Sequence, residues 1–185
     1  CQGDRSRYEF VQFHPSFTYE DFIEGIKPKG VTKDGNIKFE LVDGIFKRFC
    51  KRAKENPEQD YYFVVDEINR ANLSAVFGEA LLCLEKDYRH DVKVNNDNTL
   101  IKTQYSTLIE ELIKEDPSKK ELAYHFQDNN AYFGVPKNLF FIGMMNDVDK
   151  SIDAFDLALR RRFKWIRMDC DYEVLEQEAK YKNGT

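Results

Sequence analysis

Little in this sequence could cross-link it or clamp a structural metal. Its four cysteines, Cys1, Cys50, Cys83 and Cys170, lie far apart with no C-x-x-C pair, and its three histidines, His14, His90 and His125, show no H-E-x-x-H spacing. Neither a disulfide framework nor a zinc site is expected from such a set. Long apolar runs are missing too: none approaches the roughly 20 residues that span a bilayer, and no charged-then-apolar signal segment opens the chain. The expectation is a reduced, cytoplasmic protein with no membrane partner. Positive charge is not in surplus either. The 28 lysines and arginines face 33 acids, for a net charge of -5 and a pI near 5.4, so no general polyanion-binding surface is implied. If nucleic acid is a partner, another domain is expected to grip it.

What is present is a globular composition: 185 residues, 42% hydrophobic and 14% aromatic, enough to bury one core. Strand and helix patterns take turns. The alternating run over 8–14 predicts a strand, and Ser16 or Thr18 can cap a short helix after it. Ile45, Phe46, Phe49 and Ala53 fall at helical spacing until Pro57. A buried strand follows over Tyr61 to Val65. Asn72 then caps a helix whose Leu73, Val76, Phe77, Ala80, Leu81 and Leu84 form one apolar face. From His90 to about Asn130 the sequence turns polar, which predicts a hairpin or loop insertion flanking a short helix over 106–113. Beyond it we expect a third buried strand over 138–146, a helix over 151–163, a fourth strand over 164–169 and a closing helix from Tyr172.

Buried runs alternating with amphipathic helices give an α/β fold with a parallel sheet, whose ligands sit at the carboxyl ends of its strands. Two strands end on distinctive polar residues, Asp66-Glu67 and Asn146. Two readings of the acids stand side by side. An aspartate at a strand tip can hold phosphate-bound magnesium while the next glutamate takes a proton from an attacking water. Alternatively, both acids only complement the positive amino end of the following helix. Asn146 can likewise be a turn residue, and Arg160, Arg161 and Arg162 a solvated helix end.

The order of these segments resembles one family. "VVDEINRAN" (64–72) resembles the Walker B segment of AAA+ ATPases, and "FIGMMNDVDKSIDAFDLALRRRF" (141–163) resembles the sensor 1 and arginine-finger region of their McrB-like branch. The opening "FVQFHPSFTYEDFIEGIKP" (10–28) is similar to the segment after the nucleotide-binding helix in the same branch. McrB-like proteins are GTP-driven motor subunits of modified-cytosine-dependent restriction systems. The resemblance implies that Asp66 holds magnesium, Glu67 activates water, Asn146 positions that water or the terminal phosphate, and Asp149 contributes to nucleotide binding. Arg161 and Arg162 would reach a neighbouring subunit's site, with Arg160 left to a salt bridge or the helix dipole. Lys150 stands where the branch shows arginine and cannot reproduce its fork.

The resemblance further implies GTP or ATP with Mg²⁺, a ring of subunits, a nuclease subunit as partner, and DNA bound through another domain. A phosphate cradle reading G-x-x-x-x-G-K-[ST] is missing: Gly25 to Gly30 has the glycine spacing, but Val31 takes the lysine's place and no strand precedes it. The expectation is therefore a partial AAA+ core over 1–170, lacking the P-loop strand, with a helical lid beginning over 171–185. A MoxR-like chaperone ATPase and a non-hydrolysing AAA+ assembly module are the alternatives.

Overall fold

The computed structural model describes residues 5–94, 97–146 and 157–168. Its centre is a parallel sheet of three strands in the order β1 (Tyr8–Gln12), β4 (Tyr61–Asp66), β7 (Leu139–Gly143). Register is regular, with Val11 beside Val65 and Val65 beside Gly143. Between β1 and β4 the chain makes α1 (Tyr19–Phe22), an antiparallel hairpin of β2 (Glu24–Val31) and β3 (Ile37–Asp43), and α2 (Ile45–Glu55). After β4 come α3 (Leu73–Phe77), α4 (Ser106–Glu115) and a small hairpin of β5 (His125–Gln127) and β6 (Asn130–Tyr132). The last described helix is α5 (Leu157–Arg160). Among the described residues no helix is long and apolar enough to cross a membrane.

Alternation decides how the sheet is used. Tyr61, Phe63 and Val65 of β4 turn to one side and are buried. Against them pack Phe22 of α1, Phe46 and Phe49 of α2, Phe77 of α3 and Phe141 of β7. The other side carries Tyr8 and Phe10 of β1, Tyr62 of β4, and Phe140 and Ile142 of β7, all exposed. The aromatic runs were expected to be buried throughout. On that second side Val64 of β4 is buried, but the aromatics around it stand in the open.

Local chemistry fixes the connections. Asp21 accepts hydrogen bonds from the Thr18 hydroxyl at 3.0 Å and the Thr18 backbone at 3.3 Å, closing the start of α1. Lys47 of α2 is buried between Glu24 of β2 and Asp43 of β3, the latter at 3.0 Å, which fastens the base of the hairpin to the helix. Asn72 caps α3, its side-chain oxygen accepting from the Ala75 N–H at 3.2 Å. The helix expected to run on to Leu84 does not. It breaks at Gly78, whose φ of 52° is left-handed, and continues to Leu84 as tighter 3₁₀ turns. The break delivers the Glu79 carboxylate to the Tyr19 hydroxyl at 2.6 Å and to the Gln104 N–H at 3.0 Å, contacts that a straight helix would miss.

Two further departures have plain causes. The β2–β3 hairpin was not expected, because Pro28 and Gly30 interrupt the alternation. A bulge between them resets the register, so that Pro28 lies beside Phe39 while Val31 lies beside Ile37. The strand expected over 164–169 is not formed over 164–168. Among the described residues that stretch has no strand partner, and Ile166 and Met168 are 74% and 92% exposed. The polar insertion does hold a short helix and a hairpin, α4 and β5–β6, as expected. The amino-terminal half of the helix over 151–163, residue 169, the closing helix and the segment 171–185 lie outside the described residues.

His90 pins the insertion to the core. Its N–H donates to the Val135 carbonyl at 2.9 Å, its carbonyl accepts from Lys137 N–H at 3.0 Å, and its Nδ1 lies 2.9 Å from the Tyr124 hydroxyl. Burial, with help from the Lys54 ammonium and His125, pushes its pKa down from 6.5 to about 4, against an opposite pull from Asp97 and Asp91. Above pH 6.5 the ring is neutral in folded and unfolded chains alike. Between 6.5 and about 4 the unfolded chain takes the proton first, so stability is lost as pH falls through that window. Urea midpoints are expected to drop between pH 6.5 and 4 in the wild type and to drop less steeply in His90→Gln, an outcome that parallel titrations measure directly.

Candidate functional site

Three polar residues stand at or just past the carboxyl ends of β4 and β7. Asp66 is the last residue of β4 and lies beside Gln12, the last of β1. Its backbone carbonyl accepts from Phe13 N–H at 2.9 Å, and its Oδ1 accepts from Glu67 N–H at 3.0 Å. On the other flank the ladder runs one residue past β7: Met144 N–H donates to the Val65 carbonyl at 2.8 Å, and Ile68 N–H donates to the Met144 carbonyl at 3.0 Å. The turn bearing the two acids is thus stitched to both neighbouring strands. Asn146 follows two residues later on the same edge and is exposed.

Glu67 occupies the left-handed region, with φ 51° and ψ 43°. A non-glycine residue is held there at a cost of about 1–2 kcal/mol, which the stitched turn offsets. The chain then closes a single 3₁₀ turn over Ile68–Arg70, with Arg70 N–H donating to the Glu67 carbonyl at 2.9 Å. The Glu67 carboxylate accepts from Arg70 Nε at 3.0 Å and from Nη2 at 3.5 Å. Below the turn, Ile68 and Asn69 are buried. Ile68 lies so close to β7 that a methyl group on Gly143 would stand 2.4 Å from its Cδ1, which is why this strand end carries glycine.

Arg160 ends α5, and Arg161 and Arg162 follow it. Leu159 and Phe163 anchor their segment on the core, the Phe163 ring centroid 6.0 Å from that of Phe141 in β7. Arg162 is 11% exposed and pairs with Glu85 at 2.9 Å. Arg160 and Arg161 are exposed, and the Arg160 carbonyl accepts from Trp165 Nε1 at 3.0 Å. Arg160 lies in the last turn of α5, where its charge complements the helix dipole. Asp149 and Lys150 lie outside the described residues.

Among the described residues no group of three or more histidines, cysteines, aspartates or glutamates could hold a metal ion. Cys50 and Cys83 are free and buried, and burial pushes the Cys83 thiol up to about 12. The edge still suits one kind of cation. Magnesium keeps most of its water and takes one or two protein carboxylates besides phosphate oxygens. With Oδ1 used inside the turn, the half-buried Asp66 has Oδ2 left for that role. The place of Glu67 beside Asp66 marks it in the sequence, and its spacing of three residues from Arg70 is the signal for their ion pair.

The AAA domain, dynein-related subfamily, matches residues 4–163. The type IV methyl-directed restriction enzyme EcoKMcrB subunit of Escherichia coli strain K12 is 41% identical over 168 residues, covering 91% of this chain and 30% of that protein. The type II restriction enzyme BsuMI component YdiS of Bacillus subtilis strain 168 is 24% identical over 194 residues, covering 94% of this chain and 49% of its own. The chain thus spans half or less of the length of these relatives. A solved crystal structure of a Cytophaga hutchinsonii protein aligns over 97% of this chain and 41% of its own at 14% identity. Its TM-score is 0.42.

The close approach of Ile68 to Gly143 makes a direct prediction. Gly143→Ala must push the Ile68 Cδ1 methyl aside within its buried site, and is expected to cost about 1 kcal/mol. The reading is a lower urea midpoint accompanied by shifted amide resonances of Glu67 and Ile68. An unchanged midpoint would mean that the turn is not set by this contact.

Proposed function

Since the chain belongs to the AAA domain family, dynein-related subfamily, we propose that it is the Walker B to arginine-finger part of a McrB-like nucleoside-triphosphate hydrolase, a motor serving DNA restriction. The observation that carries this reading is the Asp66-Glu67 turn. Two acids are held at the carboxyl edge of a parallel sheet, one half-buried at a strand tip and the other turned outward by a left-handed backbone. Simple helix capping is a poorer account of them. The cap of α3 is Asn72, and no side-chain cap is made by Glu67.

In this reading Asp66 holds magnesium through its carboxylate, Glu67 takes the proton of the attacking water, and Asn146 orients that water or the terminal phosphate. Asp149 belongs to the nucleotide-binding set. Magnesium would supply charge neutralisation at the phosphates when bound. Arg161, exposed beside the core anchor Phe163, is the better placed of the two fingers, and Arg162 must first leave Glu85 to act on a neighbouring subunit. The partial core covers 1–170, the lid begins over 171–185, and the protein assembles as a ring. The nucleotide is GTP or ATP, and the setting is cytoplasmic, with a nuclease subunit as partner and DNA held by another domain. The similarity to two restriction-enzyme components supports that setting.

Hydrolysis by the full-length protein, compared with GTP and ATP, tests the proposal. Glu67→Gln is expected to keep nucleotide binding and to lower turnover by a factor on the order of 10²–10⁴. Turnover near the wild-type rate would return the acids to a structural role. Mixing tests the finger: Arg161→Ala combined with Glu67→Gln should recover activity at interfaces joining an intact glutamate to an intact arginine. No gain over the separate proteins, once mixed rings are shown to form, would place Arg161 outside the site.

A further inference from the structure

Two strands by themselves make a marginal sheet in water, and the β2–β3 hairpin leaves most of its length in the open. Ile26 lies beside Leu41, Pro28 beside Phe39 and Val31 beside Ile37, so these three cross-strand pairs share one face. At the base, Leu41 packs on the cluster formed by Ile109 and Ile113 of α4 with Ala123 and Ala131. Farther out, Ile37 and Phe39 are each 60% exposed. An apolar stripe thus starts against the insertion and runs out along the hairpin uncovered. The two edges of the hairpin differ. That of β2 carries Pro28, which has no N–H, and the bulge between Pro28 and Gly30, both of which obstruct further pairing. The β3 strand reads IKFELVD, free of proline and glycine, and among the described residues its outer edge has no strand partner.

We propose that the outer edge of β3 over Ile37–Leu41 is a docking site, at which an extended segment of a partner protein, alternating apolar and acidic residues, adds as a third strand. The inference goes beyond nucleotide hydrolysis and does not depend on it. Strand addition satisfies the open row of N–H and C=O groups, and alternate side chains decide which segment fits. The apolar positions extend the stripe of Ile37 and Phe39. The acidic positions follow from charge on the opposite face. Over 27–40 the lysines are Lys27, Lys29, Lys33 and Lys38, whereas the acids are only Asp34 and Glu40, on a chain whose net charge is -5. Lys38 pairs with Glu40 at 2.6 Å, and the Glu40 carboxyl is held below its usual range by Lys38, with Lys29 and Lys119 adding to the pull. Positive charge is therefore in local surplus beside β3. A single-stranded nucleic acid suits the hairpin less well, because bases stack on aromatic platforms and this stripe is aliphatic apart from Phe39.

The test titrates the full-length protein against fluorescent synthetic peptides, read by anisotropy. One alternates valine with glutamate, one alternates valine with lysine, and one groups the valines and glutamates of the first into two blocks. The valine–glutamate peptide should bind saturably, with the other two weaker by about 2- to 5-fold or more, the range set by cross-strand and exposed charge pairs. Hydrogen exchange should slow over 37–41 when that peptide binds. Lys38→Glu, at a site 59% exposed in its side chain, should invert the preference between the glutamate and lysine peptides, a gain that a misfolded variant could not show. Equal binding of the three peptides, binding of none, a preference unchanged in Lys38→Glu, or protection confined to other segments would overturn the proposal. So would tighter binding of an oligothymidylate than of the valine–glutamate peptide, or protection of 37–41 that grows with protein concentration alone, which would assign the edge to a second copy.

Discussion

The stack of Phe22 on Phe46, with ring centroids 4.6 Å apart and planes 2° from parallel, is the contact on which the rest of the molecule is hung. It joins α1 to α2 across the whole β2–β3 excursion, so a stretch of two strands is looped out without loosening what lies beneath. Both rings meet Phe63 edge-on, at 5.8 Å and 5.0 Å. Phe77 of α3 and Phe141 of β7 close the group. Five aromatic rings from five elements thereby fix the height and tilt of β4. The position of Asp66 and Glu67 at its end follows, because three residues beyond Phe63 the chain has no freedom until the stitched turn is past.

Charge plays a different part from aromatics. Lys47 sits fully inside the protein against Glu24 and Asp43, and such a triad adds little net stability over an apolar replacement. Removing one partner is another matter, since it strands a buried charge at a cost of about 3–5 kcal/mol. The network therefore acts as a specification: it admits one placement of the hairpin base on α2 and penalises others. Lys51, next along the helix, reaches the same Asp43 and the Glu121 carbonyl, so the insertion is keyed to the same point.

Much of this was readable in the residues. The five apolar residues from Tyr61 to Val65 leading into two acids placed the central strand and its tip, and the spacing of Ile45, Phe46, Phe49 and Ala53 placed α2. The cap at Asn72 was visible because a side chain and the backbone three residues on decide it locally. What was not readable depended on neighbours remote in sequence. The break at Gly78 serves Tyr19 and Gln104, and the partner of Arg162 is Glu85, more than seventy residues away in the chain. The β2–β3 hairpin was hidden by a single extra residue in its register. The strand anticipated over 164–169 has a plausible composition but, among the described residues, no strand to pair with, and composition alone cannot supply one.

The open face of the sheet sets how the chain behaves in a tube. Tyr8, Phe10, Tyr62, Phe140 and Ile142 form a raft of ring and aliphatic surface across three strands, with Tyr62 stacked on Phe140 at 5.5 Å. Among the described residues, β1 and β7 leave their outer edges without a strand partner on either side of that raft. A greasy plane bounded by two unpaired strand edges is what colloid science calls a sticky patch, and it favours aggregation with rising concentration. Salt would hasten the clumping by screening the net charge of -5 that keeps copies apart. Left uncovered, such a plane would make concentration, as much as unfolding, the limit on handling the chain.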